Sequence, residues 1–249
     1  MPTFGSMTAT VVFVHGALVR DGAWWWQPTA DLLHERTGAA SVAVALPSCG
    51  EVPGTPDAGS PDAGSPDADL AADAAALRAV LDAHRDVVLV GHSYGGTVIA
   101  EAGTHPAVRH VVLVSSYTPP VGATQGSIMG AEPDPVAIRV DDGRIALDGY
   151  DVDTFGARFL QDGDTATQRE AFARTTTQAA AAFGTPTTRA GWADVPSTAV
   201  VCTEDRSTTP GLQREHAARA SDVVELPTGH HPFVTRPDLV VDVLAPLVT

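Results

Sequence analysis

Short Val-rich runs alternate along the 249-residue chain with longer stretches in which apolar residues return every three or four positions. The runs cover 10–14, 41–46, 87–90, 110–114, 198–202 and 223–226, and nearly all are apolar at both odd and even positions. Strands with one wet face alternate, whereas strands covered by helices on both sides do not, so the pattern predicts a mostly parallel sheet. Helical periodicity fills the gaps at 28–35, 69–83, 97–103, 210–220 and 238–247. Strand and helix in alternation predict a right-handed α/β winding.

The rhythm breaks between 117 and 191. "VAIRVDDGRIALD" there predicts a hairpin turning at Asp142-Gly143, and helical patterns follow near 152–160 and 165–183. We expect residues 1–116 and 192–249 to form the core and 117–191 an inserted cap. Within the core, "GTPDAGSPDAGSPDA" repeats a five-residue unit three times, and its Pro and Gly density predicts a flexible loop over 54–68.

Composition narrows the function classes. A chain of this length with 44% hydrophobic residues can bury a substantial core. Its formal charge of −15 sets it against a phosphate backbone, so no nucleic-acid partner is expected. Cys49 and Cys202 read as structural thiols, neither a disulfide scaffold nor a thiolate metal site. The start "MPTFGSMTATVVFVHG" has no basic region, and its apolar run is too short for a secretory signal or membrane span. A cytoplasmic protein, monomer or homodimer, off the membrane and acting on a small molecule, is the expectation.

Candidate chemistry begins at "VGHSYGG". Ser93 lies between a strand and a helix with no spare residues, the context in which G-x-S-x-G lifts a hydroxyl above the strand ends. A serine alcohol is a weak nucleophile until a base takes its proton. His34, His84 and His216 fall on polar helical faces, His105 and His110 flank a loop, and His92 is assigned to packing. His230 and His231 follow the last strand at the sheet's carboxyl edge, so one of them is the expected base. Asp205, just past the preceding strand, would hold the imidazole in its working tautomer. Glu204 points the other way in an extended chain, and Asp222 precedes its strand. The amides of Ala17, after the "HG" turn that ends the first strand, and of Tyr94, after the serine, are the expected oxyanion donors. His15 reads as a structural hydrogen-bonding residue.

The segments "VHGALVRDGAWWW", "VGHSYGG", "VVCTEDRSTTPGLQREHA" and "TGHHPFVTRPDLV" resemble the small α/β-hydrolases that include plant methyl esterases, hydroxynitrile lyases and bacterial carboxylesterases. That resemblance implies an α/β-hydrolase fold with Ser93 as nucleophile, Asp205 as acid and His230, rather than His231, as base. It places the oxyanion amides at Ala17 and Tyr94. Hydroxynitrile lyases of the group carry a lysine after the catalytic histidine; His231 stands there instead and speaks against cyanohydrin cleavage.

The expected reaction is hydrolysis of a small or medium apolar ester, or a lactone or thioester, through an acyl-enzyme, with no cofactor and no metal. Leu18, Trp24, Ser116, Tyr117, Ile128, Met129, Phe155, Phe159 and Phe183 are candidate pocket residues. The alternatives on the same fold are a small-molecule receptor, or a cofactorless lyase or cyclase using His230 as a proton shuttle.

Overall fold

A computed structural model describes residues 8–52 and 67–249. The repeat loop expected over 54–68 falls outside them except at its last two residues. In chain order the elements are β1 (Thr10–Val14), α1 (Gly22–Thr37), β2 (Ser41–Ala43), a 3₁₀ turn (Pro47–Cys49), α2 (Leu70–Asp82), β3 (Val87–His92), α3 (Tyr94–Ala102) and β4 (Val108–Val114). Next come α4 (Gln125–Met129), β5 (Ile138–Asp141), β6 (Arg144–Leu147), α5 (Val152–Phe159), α6 (Thr165–Phe172), β7 (Gln178–Ala179) and α7 (Ala180–Gly184). The chain then adds β8 (Ser197–Cys202), α8 (Pro210–Ala217), β9 (Asp222–Leu226), α9 (Pro232–Thr235) and α10 (Pro237–Val248).

Six strands form one parallel sheet in the order β2-β1-β3-β4-β8-β9. Successive side chains on a strand point to opposite faces, so each run feeds two cores. Val11, Phe13, Val88, Val90 and Val112 pack with Trp25, Trp26, Leu33 and the α10 residues Val240, Val241 and Leu244. Val12, Leu89, Val111 and Leu113 pack on the other face with Leu70, Leu77, Leu81, Val98 and Ile99 of α2 and α3. Every residue of β3 and of β8 is buried, as apolar-on-both-faces strands require.

The segment between β4 and β8 builds a second sheet, β5-β6-β7, around the expected hairpin: Asp141 pairs with Arg144 across Asp142-Gly143. One long helix over 165–183 does not form. α6 ends at Phe172, and the β-branched Thr175, Thr176 and Thr177 lead into β7 before α7 begins. α1 starts six residues before Pro28, because the Asp21 side chain caps the Trp24 amide and Pro28 is carried inside the helix. β2 stops at Ala43, and α3 begins immediately after Ser93.

α3 enters this sheet only because its first turn is glycine. A Cβ built on Gly95 would sit 2.5 Å from the Val14 carbonyl oxygen and 3.0 Å from that of His15, both backbone atoms of the neighbouring strand end. Gly95→Ala should therefore cost about 1 to 3 kcal/mol in denaturant unfolding as β1 and α3 are forced apart. Unchanged stability would mean that this packing yields freely.

Candidate active site

β3 delivers Ser93 to the carboxyl edge of the sheet, and the turn into α3 holds it at φ 48°, ψ −119°. A non-glycine residue at positive φ is strained unless its surroundings enforce the conformation. Here the Ser93 amide donates to the Val114 carbonyl (3.3 Å), and its own carbonyl accepts from the Ser116 hydroxyl (2.6 Å) and the Gly96 amide (3.0 Å). Ser115, at the end of the adjacent β4, is also left-handed at φ 44°.

The loops after β8 and β9 bring Asp205 and His230 together. His230 Nδ1 lies 2.8 Å from Asp205 Oδ2, with both side chains almost completely buried. The same carboxyl oxygen accepts from the Ser115 hydroxyl and from Gln213 Nε2 (2.9 Å). Oδ1 accepts from the amides of Ser207 (2.7 Å) and Thr208 (3.0 Å). A buried carboxylate needs such partners, because desolvation without them is costly. Glu204 is exposed. Ser115 and Gln213 are partners of Asp205 that motif reading misses; each sits one turn or strand end away from a recognised motif.

His92, His230 and His231 pack ring to ring, with centroids 4.5 to 4.8 Å apart. His92 Nε2 donates to the His230 carbonyl (3.0 Å) and His231 Nδ1 to the Phe159 carbonyl (3.0 Å). Burial, and then the neighbouring imidazoles, hold His92 and His231 well below the ordinary histidine range, so both are neutral. Sequence reading had found no cluster able to bind a metal. Among the described residues these three each offer a ring atom within 4.8 Å of the others. A cation there would engage the imidazole that Asp205 orients. His216, read as lying on a polar face, is instead buried and accepts from the Thr118 amide (3.0 Å).

A second buried network braces the loop after β1. The Leu18 amide donates to Gln178 Oε1 (3.0 Å), Gln178 Nε2 to the Ser48 hydroxyl (2.9 Å), and that hydroxyl to Asp73 Oδ2 (2.6 Å). The Tyr94 hydroxyl donates to the same oxygen (2.7 Å). Burial raises the Asp73 carboxyl despite these bonds. Leu18 is thus held at φ 60° with its amide occupied, beside Ala17. Tyr94 is the first residue of α3, where an amide has no partner within the helix. His15, behind the loop, bonds Glu51 through Nε2 (2.7 Å).

Gly16, Ala17, Ser93, His230 and His231 open onto a cleft of about 660 Å³, open solvent at its mouth included. Leu18, Tyr117, Met129, Phe155 and Phe159 line it, together with Val136, Leu147, Thr208 and Glu132. Trp24 and Ser116, expected on this wall, lie elsewhere: Arg174 covers the Trp24 ring at 4.2 Å, and the Ser116 hydroxyl is spent on the Ser93 carbonyl. Phe183 stacks on Tyr94 (5.9 Å), and Ile128 packs with Tyr117 and Leu212. Burial pushes the Tyr117 hydroxyl up to about 12, so it remains protonated while bonded to Thr208 Oγ1 at 2.8 Å.

A parallel sheet with a sharp serine turn at its carboxyl edge defines an α/β-hydrolase. Residues 11–243 match the alpha/beta hydrolase family, and the chain belongs to it and is a hydrolase of that type. It is 31% identical to a probable hydrolase of a Phoma species over 68% of this chain and 72% of that protein. A pyrethroid hydrolase from Sphingobium faniae superposes with a TM-score of 0.77 at 23% identity, covering 96% of this chain and 97% of the other. Polyneuridine aldehyde esterase superposes with a TM-score of 0.75 at 19% identity, covering 98% and 100%. Among the described residues, no helix is long and apolar enough to cross a membrane.

The His15–Glu51 pair makes stability depend on pH in a defined window. Burial opposes charge on both groups, but their mutual attraction and hydrogen bond outweigh it, raising His15 and lowering Glu51. The raised histidine contributes below its unfolded value of 6.5 and loses that contribution as pH climbs through its folded value. The lowered glutamate contributes above 4.5 and loses it as pH falls through its folded value. Glu51→Gln should cost about 2 kcal/mol in urea unfolding between those limits. The difference from wild type should shrink on either side; a difference that is flat with pH would contradict the charged pair.

Proposed function

We propose that the protein is a serine carboxylic-ester hydrolase acting through Ser93, His230 and Asp205. The observation that carries this reading is the buried 2.8 Å contact of His230 Nδ1 with Asp205, which leaves the other ring nitrogen as the one available to Ser93, a residue that lines the same cleft as His230. His230 takes the Ser93 proton as the hydroxyl attacks the ester carbonyl. The amides of Ala17 and Tyr94 receive the tetrahedral oxyanion, and His230 returns the proton to the departing alcohol. Water then repeats the sequence on the acyl-enzyme. Asp205 keeps its charge and stabilises the imidazolium. The apolar wall of Leu18, Val136, Leu147, Phe155 and Phe159 supports a small or medium apolar acyl group. Likeness to a pyrethroid hydrolase and to an esterase supports ester over other substrates. The segment 117–191 acts as the cap, since it supplies most of that wall. No metal or cofactor enters the scheme.

A panel of p-nitrophenyl esters of increasing acyl length tests activity and pocket size together, and a fluorophosphonate should label wild type but not Ser93→Ala. Labelling retained in that variant would move the nucleophile elsewhere. His230→Ala should lower kcat/KM by a factor on the order of 10⁴. His231→Ala should lose far less, because its Nδ1 is committed to the Phe159 carbonyl. The larger loss at His231 would reverse the assignment. Asp205→Asn should abolish turnover while circular dichroism shows an intact fold.

A further inference from the structure

Glu132 is the only carboxyl residue on the wall of the cleft among the described residues, and no arginine or lysine lines it. It follows α4 and is 8% exposed. Its Oε1 accepts from the Thr209 amide at 2.9 Å. Its Oε2 is sealed from bulk solvent and has no partner among the described residues. Burying an acceptor without a donor costs free energy, more so for a charged one, so an unpaired carboxyl oxygen on a residue that lines a binding cleft calls for a donor from outside the chain. The surroundings divide accordingly. The Thr208–Tyr117 hydroxyl pair supplies polar lining. Val136, Leu147, Phe155 and Phe159 form the apolar side.

We propose that Glu132 Oε2 receives a hydrogen-bond donor carried by the substrate, a hydroxyl or a protonated amine separated from the ester carbonyl by an apolar spacer. Glu132 is then a specificity-determining residue for the reaction assigned to Ser93, and the inference rests on that assignment. A site built to hydrogen-bond a substrate group rejects the analogue that lacks it more strongly than an apolar pocket rejects a missing methylene.

The test compares p-nitrophenyl alkanoates with their ω-hydroxy, ω-amino and ω-methoxy counterparts across a series of acyl lengths. Wild type should favour a donor-bearing ester over the plain one at the best length by at least about tenfold in kcat/KM, with no gain for the methoxy ester. A larger gain for the amine identifies a cationic substrate, and a larger gain for the alcohol a neutral one. Glu132→Gln keeps an oxygen for the Thr209 amide but puts an N–H₂ donor in place of the unpaired oxygen, so the preference should turn toward the methoxy ester. Glu132→Leu should bring all ratios near one. If Glu132 merely latches the segment after α4 to Thr209, both variants lower every ester alike and leave the ratios untouched, which overturns the proposal. The same discrimination, read calorimetrically as binding of the matched methyl ketones to Ser93→Ala, needs no turnover. Ketone discrimination without ester hydrolysis sinks the esterase reading and keeps this site; Ser93-dependent hydrolysis with no preference at any length does the reverse.

Discussion

The buried carboxylate of Asp205 is the constraint on which the carboxyl edge of the sheet depends. It is 5% exposed and ties together four points of the chain. Ser115 comes from the end of β4, the amides of Ser207 and Thr208 from its own loop, Gln213 from α8 and His230 from the loop after β9. A charge this deep is tolerated only when its lone pairs are taken, so folding the carboxylate into place compels the imidazole into place as well. Gln213 also accepts from the Cys202 amide at 2.8 Å, which fixes the point where β8 hands over to the loop that carries Asp205.

Preorganisation at the other side of the cleft comes from backbone strain. Leu18, Ser93 and Ser115 hold φ values of 60°, 48° and 44° beyond the ends of three adjacent strands, β1, β3 and β4. Such conformations cost of order 1 kcal/mol or more each, and here the two-faced core of the sheet and the hydrogen bonds of Gln178, Ser116 and the β8 backbone hold them. Gly16 matters for the same reason: a Cβ there would lie 2.8 Å from His92 Nδ1 and 3.3 Å from Ser93 Cβ. The loop that carries the Ala17 amide can approach the serine only without a side chain at that position.

Much of this was legible in residue pattern. Val-rich runs apolar on both faces located all six strands of the main sheet, and the motifs at strand ends picked out Ser93 and His230, which line one cleft, and Asp205, which bonds His230 behind it. Element ends were less legible. Periodicity starts α1 at Pro28, whereas the Asp21 cap sets the true start. The threonine run before Gln178 was read through as helix although its side chains are stiff. One signal was present and overlooked: Asp73 lies in phase with Leu70, Ala74, Leu77 and Leu81 on the apolar face of α2, and a charge on such a face announces a buried partner. Glu132 and Gln178 had no local signal. Their positions follow from how the segment between β4 and β8 folds over the sheet, a matter of tertiary packing that no window of sequence contains.

The central claim is that chemistry passes through a covalent bond to Ser93. Rapid acid quench of wild type during turnover of a p-nitrophenyl ester, followed by intact-mass and peptide analysis, tests it directly. The account predicts an added acyl mass that maps to Ser93, forms within the burst of nitrophenol and disappears when ester is exhausted. Steady hydrolysis with no adduct at any quench time and no burst of nitrophenol would contradict it.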